Sequence, residues 1–139
     1  MNNRHQWRFN VAQKLQEPAT IIYLEFIRKT VMPLPGVNEK PCYGTPGFYA
    51  AKNLFSRLRE DGETLVVYNI DRDKWIDADP TIFYVTDHYL NTNYMLVDLK
   101  AVKPDDLKEL LVNAWRSRVP PKLLIGNEKN VPLNKINEI

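Results

Sequence analysis

In the stretch EPATIIYLEFIRKTV, apolar residues recur at three- and four-residue steps. That spacing predicts an amphipathic helix with Ile22, Tyr23, Phe26, Ile27 and Val31 on its apolar side. Pro18 suits the first turn, where a missing N–H costs nothing, and Arg28 and Lys29 fall in the last turn, where cations complement the helix dipole. Pro33, Pro35 and Gly36 stop it. From Gly36 to Ile70 the pattern changes to short runs separated by turn residues, which predicts β-hairpins. Gly44-Thr45-Pro46-Gly47 reads as one turn, with Pro46 fixing φ and Gly47 free to take positive φ. Asp61-Gly62 reads as a two-residue hairpin turn with both residues at positive φ. That turn pairs Arg59 with Thr64, Leu58 with Leu65, Arg57 with Val66 and Phe55 with Tyr68. Leu54, Ser56, Leu58, Leu65 and Val67 then share a core face. Phe55, Arg57, Arg59, Thr64, Val66 and Tyr68 share the other.

Asp71–Ala78 reads as a short helix with Asp71 as N-cap, ended by Asp79-Pro80. TIFYVT is a brief strand. YMLVDLKAV alternates, with Met95, Val97, Leu99 and Ala101 inward, as a half-buried antiparallel strand does. Lys103–Arg118 carries the strongest helical pattern. Pro104 and two aspartates open it, Leu107, Leu110, Leu111, Ala114 and Trp115 form its apolar stripe, and Pro120-Pro121 end it. After that no period is sustained, although Leu123 and Leu124 could dock. Strands without regular βα alternation predict an α+β fold: a twisted antiparallel sheet built from hairpins, with N-terminal and C-terminal helices packed on it. The expected organisation is a polar arm over 1–16, which could hold a short helix, a single domain over 17–124 and a tail over 125–139.

Composition adds bounds. The chain has 139 residues, 44% hydrophobic and 26% charged, enough for one core. No apolar run is long enough to span a membrane, and the opening MNNRHQWRFN lacks the apolar core of a signal peptide. A single cysteine fits a cytoplasmic setting. One cysteine and two scattered histidines predict no metal site, and no cofactor is expected. The net charge of +2 is modest, with its excess near the two termini.

The candidate chemistry is thin. Gly44 and Gly47 do not open into a helix, as a phosphate loop requires. Cys42, His88 and Asp87 could form a nucleophile, base and orienter only if the fold brought them together. Trp7, Trp75 and Tyr89 read as packing residues. The hairpin face bearing Phe55, Arg57, Arg59 and Tyr68 is more informative, because arginine holds phosphates and aromatic rings offer stacking surfaces. The competing reading puts Phe55 and Tyr68 under a helix with the arginines at its edge.

Three segments carry a family resemblance: YGTPGFYAAKNLFSRLREDGETLVV, DADPTIFYVTDHYLNTNYMLVDL and AWRSRVPPKL. Over about Leu34 to Leu124 they resemble the MmcQ/YjbR-like family of small bacterial proteins. Gly44-Thr45-Pro46, Lys52 before Leu54-Phe55, Asp61-Gly62-Glu63, Asp79-Pro80 and His88-Tyr89 are the most specific points. The resemblance implies an α+β fold, a cytoplasmic bacterial setting and a DNA-binding label of the double-wing type. The resulting expectation is a non-catalytic DNA-binding protein using Lys52, Arg57, Arg59, Arg116, Arg118 and Lys122 on phosphates, with Phe55 and Tyr68 as aromatic contacts. The alternative is a non-catalytic protein-interaction module of unknown partner, which could be a homodimer.

Overall fold

The computed structural model describes residues 11–127. A helical turn over 11–15 precedes helix α1, Pro18–Val31. Four strands follow: β1 Val37–Cys42, β2 Thr45–Ala50, β3 Asn53–Leu58 and β4 Thr64–Tyr68. Then come α2 Arg72–Ala78, β5 Phe83–Tyr84, β6 Tyr94–Asp98, α3 Pro104–Arg118 and α4 Pro121–Asn127. The strands form one six-stranded sheet in the order β1-β2-β3-β4-β6-β5, and each adjacent pair is antiparallel. The fold class is therefore the predicted α+β.

One face of the sheet carries the core. Phe48, Ala50, Leu58, Leu65, Val67, Met95 and Val97 meet Leu24, Ile27 and Val31 of α1 and the apolar stripe of α3. Trp115 is fully buried at the C-terminal end of that stripe, and its indole N–H donates to the Pro35 carbonyl at 2.8 Å. Burial of so large a ring with its one polar atom satisfied ties α3 to the loop that follows α1. On α1 the buried line is Thr20, Leu24, Ile27 and Val31. Ile22, predicted inward, is 62% exposed. The other four residues of the predicted stripe, Tyr23, Phe26, Ile27 and Val31, are buried or packed against the core, and Ile22 falls outside the buried line.

The β3–β4 register is as predicted, with Arg57 opposite Val66 and Leu58 opposite Leu65. The turn is different. The Gly62 N–H donates to the Arg59 carbonyl and the Arg59 N–H to the Thr64 carbonyl, so Glu60–Glu63 form a four-residue loop. Gly62 alone has positive φ, at +72°, and Asp61 does not. Loops of two and four residues centred on the same bond leave the pairing unchanged, so the register survives the wrong turn type. Asp61 closes the loop by accepting from the N–H groups of Glu63 and Thr64 and from the Thr64 hydroxyl at 2.6 Å.

The predicted Gly44–Gly47 turn is also displaced. Tyr43 and Gly44, at φ +53° and +80°, make the β1–β2 turn, closed by the Cys42–Thr45 pair. Two successive residues at positive φ are what a tight hairpin with right-handed strand twist needs. Pro46 and Gly47 lie inside β2, where a side chain on Gly47 would fall 2.8 Å from Cys42 Cβ.

A third difference changes a face. Tyr49 pairs with Leu54 and Phe48 with Ser56, so Phe55 is an extra residue bulged from β3. A bulge breaks the two-residue alternation. It carries Phe55 into the core cluster, fully buried, and leaves Leu54 half-buried on the other side. Ala101, predicted inward, is exposed, because β6 ends at Asp98 and a turn follows in which Asp98 accepts from the Lys100 and Ala101 N–H groups. Asp71 stands at the start of α2 but makes no side-chain cap. Beyond Pro120 the chain forms α4, with Pro121 opening it, and Leu123 and Leu124 pack partly buried against the core. The remainder of the predicted arm and tail lies outside the described residues.

Candidate nucleic-acid interface

The six predicted cations divide between the two ends of β3. Lys52 is exposed in the two-residue turn that leads from β2 into β3. At the same end, the Asn53 amide donates to the Arg118 carbonyl at 2.7 Å, and Arg118 Nε donates to the Leu54 carbonyl at 3.3 Å. These two bonds fix the C-terminus of α3 against the start of β3. The Arg118 guanidinium lies 4.8 Å over the Tyr68 ring, at the C-terminal end of β4. Lys122 follows on α4, exposed. Its neighbour Leu123 reaches to within 2.7 Å of where a Gly36 side chain would begin, and Gly36 accepts from the Ala51 N–H beside Lys52. Arg116 and Arg118 occupy the last turn of α3, where the helix dipole favours them. Lys52, Arg116, Arg118 and Lys122 therefore lie toward the same end of the sheet, where Arg118 and Arg116 adjoin Tyr68.

Arg57 and Arg59 lie toward the other end of β3 and are engaged in the fold. Arg57 is only 6% exposed. It donates to the Thr45 hydroxyl at 3.1 Å and to Glu60 at 3.1 Å, with the Tyr43 ring 5.2 Å away. Its Nε has no hydrogen-bond partner among the described residues. Arg59 sits 4.0 Å from the same Glu60. Phe55 is fully buried. These placements correct the expected contact set. Arg57 and Phe55 are enclosed by packing and cannot reach a phosphate or a base while the sheet stays folded. Arg59 stands apart from the other four cations.

Around Tyr68 the structure gathers further rings, of which the sequence pattern did not single out Tyr94. Tyr94 lies edge-on to Tyr68 at 5.4 Å, and its hydroxyl donates to the Leu54 carbonyl at 2.9 Å. Burial raises the Tyr94 phenol above its ordinary pKa, and the nearby Arg118 charge opposes that shift. Tyr89 is 6.0 Å from Tyr94, and His88 packs edge-on against Tyr89. Arg72 holds this loop by donating to the carbonyls of Tyr89, Leu90 and Tyr94 at 2.7–3.0 Å.

Next to Tyr68 a groove of about 260 Å³ opens between the β4–α2 junction and α3. Tyr68, Lys74, Trp75, Glu109, Asn113 and Arg116 line it. Glu109, Asn113 and Arg116 are spaced four and three residues apart, so they share a side of α3 next to its apolar stripe. That spacing was readable in the sequence; its meeting with Trp75 was not, because it depends on where α2 docks.

The thiol triad is not assembled. Cys42 ends the edge strand β1, whereas Asp87 and His88 lie between β5 and β6 at the other edge. Burial first, and then a hydrogen bond with Cys42, hold the Tyr49 phenol above its ordinary pKa. Among the described residues no three His, Cys, Asp or Glu side chains cluster in a way that could hold a metal ion. Among the same residues no helix is long and apolar enough to cross a membrane.

No family model matches the chain, and no curated protein matches it. Among solved structures it is similar to protein DR2400 of Deinococcus radiodurans, described as a DUF419 domain. The TM-score is 0.58 at 19% identity, covering 83% of this chain and 86% of that one. At that identity the likeness is one of fold.

Proposed function

We propose that the chain is a non-catalytic DNA-binding protein of the MmcQ/YjbR-like type, contacting phosphates through Lys52, Arg116, Arg118 and Lys122. The observation that carries this reading is that they lie toward one end of the sheet, where Arg118 stacks on the Tyr68 ring. Three separate segments supply these cations, and a phosphate backbone rewards clustered positive charge more than it rewards net charge. Tyr68 beneath Arg118 adds a surface suited to a base or sugar. The test is an anisotropy titration with random duplex and single-stranded DNA at low salt, repeated as salt is raised. Binding that weakens steeply with salt supports the reading. No binding at tens of micromolar, or affinity indifferent to salt, overturns it.

A second reading, a protein-interaction module that forms a homodimer, is favoured by one observation. Ile21 and Ile22 are 43% and 62% exposed on the outer side of α1. A dimer mass in light scattering that Ile22→Glu converts to a monomer would favour it.

A further inference from the structure

The groove beside Tyr68 has a chemistry that differs from the cationic end it adjoins. We infer that it takes one unpaired nucleobase of a single strand, with preference for a base bearing an exocyclic amino group. This rests on the reading that the chain binds nucleic acid, and it names the form of nucleic acid and the part of it that is read.

Three observations carry the inference. The first is size. About 260 Å³ is slightly below the range of ~300–1,000 Å³ usual for drug-sized ligands, so the groove suits one ring system and not a dinucleotide. The second is charge. Its lining holds two acids and two bases, Asp71 and Lys74 on the α2 side and Glu109 and Arg116 on α3. A lining without net charge is poorly suited to a phosphate and well suited to a neutral polar ring. The phosphates on either side of that base would meet Arg118, which shares the Tyr68 wall, and then Lys52 and Lys122.

The third is the kind of polar group presented. Trp75 and Tyr68 provide aromatic walls, and every base has a face that can stack on them. Among the described residues the side chains of Lys74, Glu109 and Asn113 make no hydrogen bond or ion pair. Glu109 is acceptor-only when ionised, and Asn113 offers a donor and an acceptor side by side. A carboxylate accepts from the amino group of cytosine but meets only a carbonyl at the corresponding position of thymine. A base that stacks on Trp75 inside a groove of this size must leave the duplex stack, so the base read there is unpaired.

The experiment titrates the full chain against labelled oligo-dC, oligo-dT and a mixed duplex of equal length. Deoxycytidine monophosphate is added as a competitor, and Glu109→Ala and Asn113→Ala are compared with the parent. Circular dichroism melting establishes that each variant is folded. The expected result is oligo-dC binding at least fivefold tighter than oligo-dT and the duplex, with that preference lost in both variants and oligo-dT affinity unchanged. An unaltered dC-to-dT ratio in folded variants, or a duplex bound as tightly as oligo-dC, overturns the groove inference and leaves the DNA-binding reading standing. Monophosphate binding as tight as oligo-dC overturns the strand as ligand and makes it a free nucleotide. Binding to no nucleic acid overturns both readings.

Discussion

The two ends of β3 carry the same kind of charge and use it differently. Near the Glu60–Glu63 loop, Arg57 and Arg59 share Glu60, and Arg57 is sealed between Thr45 and Tyr43. At the opposite end Lys52 and Lys122 are exposed, and Arg118 is oriented by a backbone carbonyl and a ring. Arginine at the first end is part of the fold. Lys52 and Lys122 at the second end are exposed to solvent. Residue type alone does not distinguish the two; a carboxylate three residues away and the burial of one guanidinium do.

The comparison can be broken most severely at the bulge. Phe55→Ala removes a fully buried ring from the core and should cost about 3–5 kcal/mol, read as a shift in the urea midpoint. Had Phe55 been a surface contact, the midpoint would scarcely move. Arg57→Ala should cost about 1–3 kcal/mol, since it removes a buried side chain and leaves the Thr45 hydroxyl and Glu60 without its hydrogen bonds, Glu60 keeping only Arg59 at 4.0 Å. DNA affinity of the folded fraction should stay unchanged.

These two residues also show where the sequence stopped being legible. The register of β3 and β4, the stripe of α3 and the order of elements up to α3 follow from local spacing and turn residues. A bulge adds one residue to one strand, and nothing in the period of that strand reports it. The exchange of Phe55 for Leu54 was therefore out of reach. The turn types were misjudged because Asp61-Gly62 can serve two loop lengths, and Asp61's hydrogen bonds to Glu63 and Thr64 favour the longer. Helix α4 was missed because Pro120-Pro121 reads as a stop, although Pro121 suits a first helical position. The site cations were each visible as residues. Their placement toward one end of the sheet was not, since it depends on the Asn53–Arg118 bond between positions 65 apart.

Smaller effects sharpen the contrast. Asp61→Ala should cost about 1–2 kcal/mol, through the loss of its hydrogen bonds to the loop. Burial alone would raise the Asp61 carboxyl, but the Thr64 hydroxyl and the N–H groups of Glu63 and Thr64 outweigh it and hold the carboxyl below its ordinary 3.8. A folded pKa below the unfolded one gives stability that is present above pH 3.8 and is lost as pH falls through the folded value. The urea midpoint of the parent should therefore fall on acidification through that window, and by less in Asp61→Ala. Lys52→Ala and Lys122→Ala, both exposed, should change stability by less than about 0.5 kcal/mol.

The central claim is that one end of the sheet meets phosphate and the other does not. The direct test is the salt dependence of DNA binding for the parent, for Lys52→Ala/Lys122→Ala and for Arg59→Ala. The slope of log affinity against log salt should flatten by roughly 1.4–1.8 in the double variant, the equivalent of two phosphate contacts. It should stay unchanged in Arg59→Ala. A slope that flattens in Arg59→Ala and not in the double variant would contradict the account.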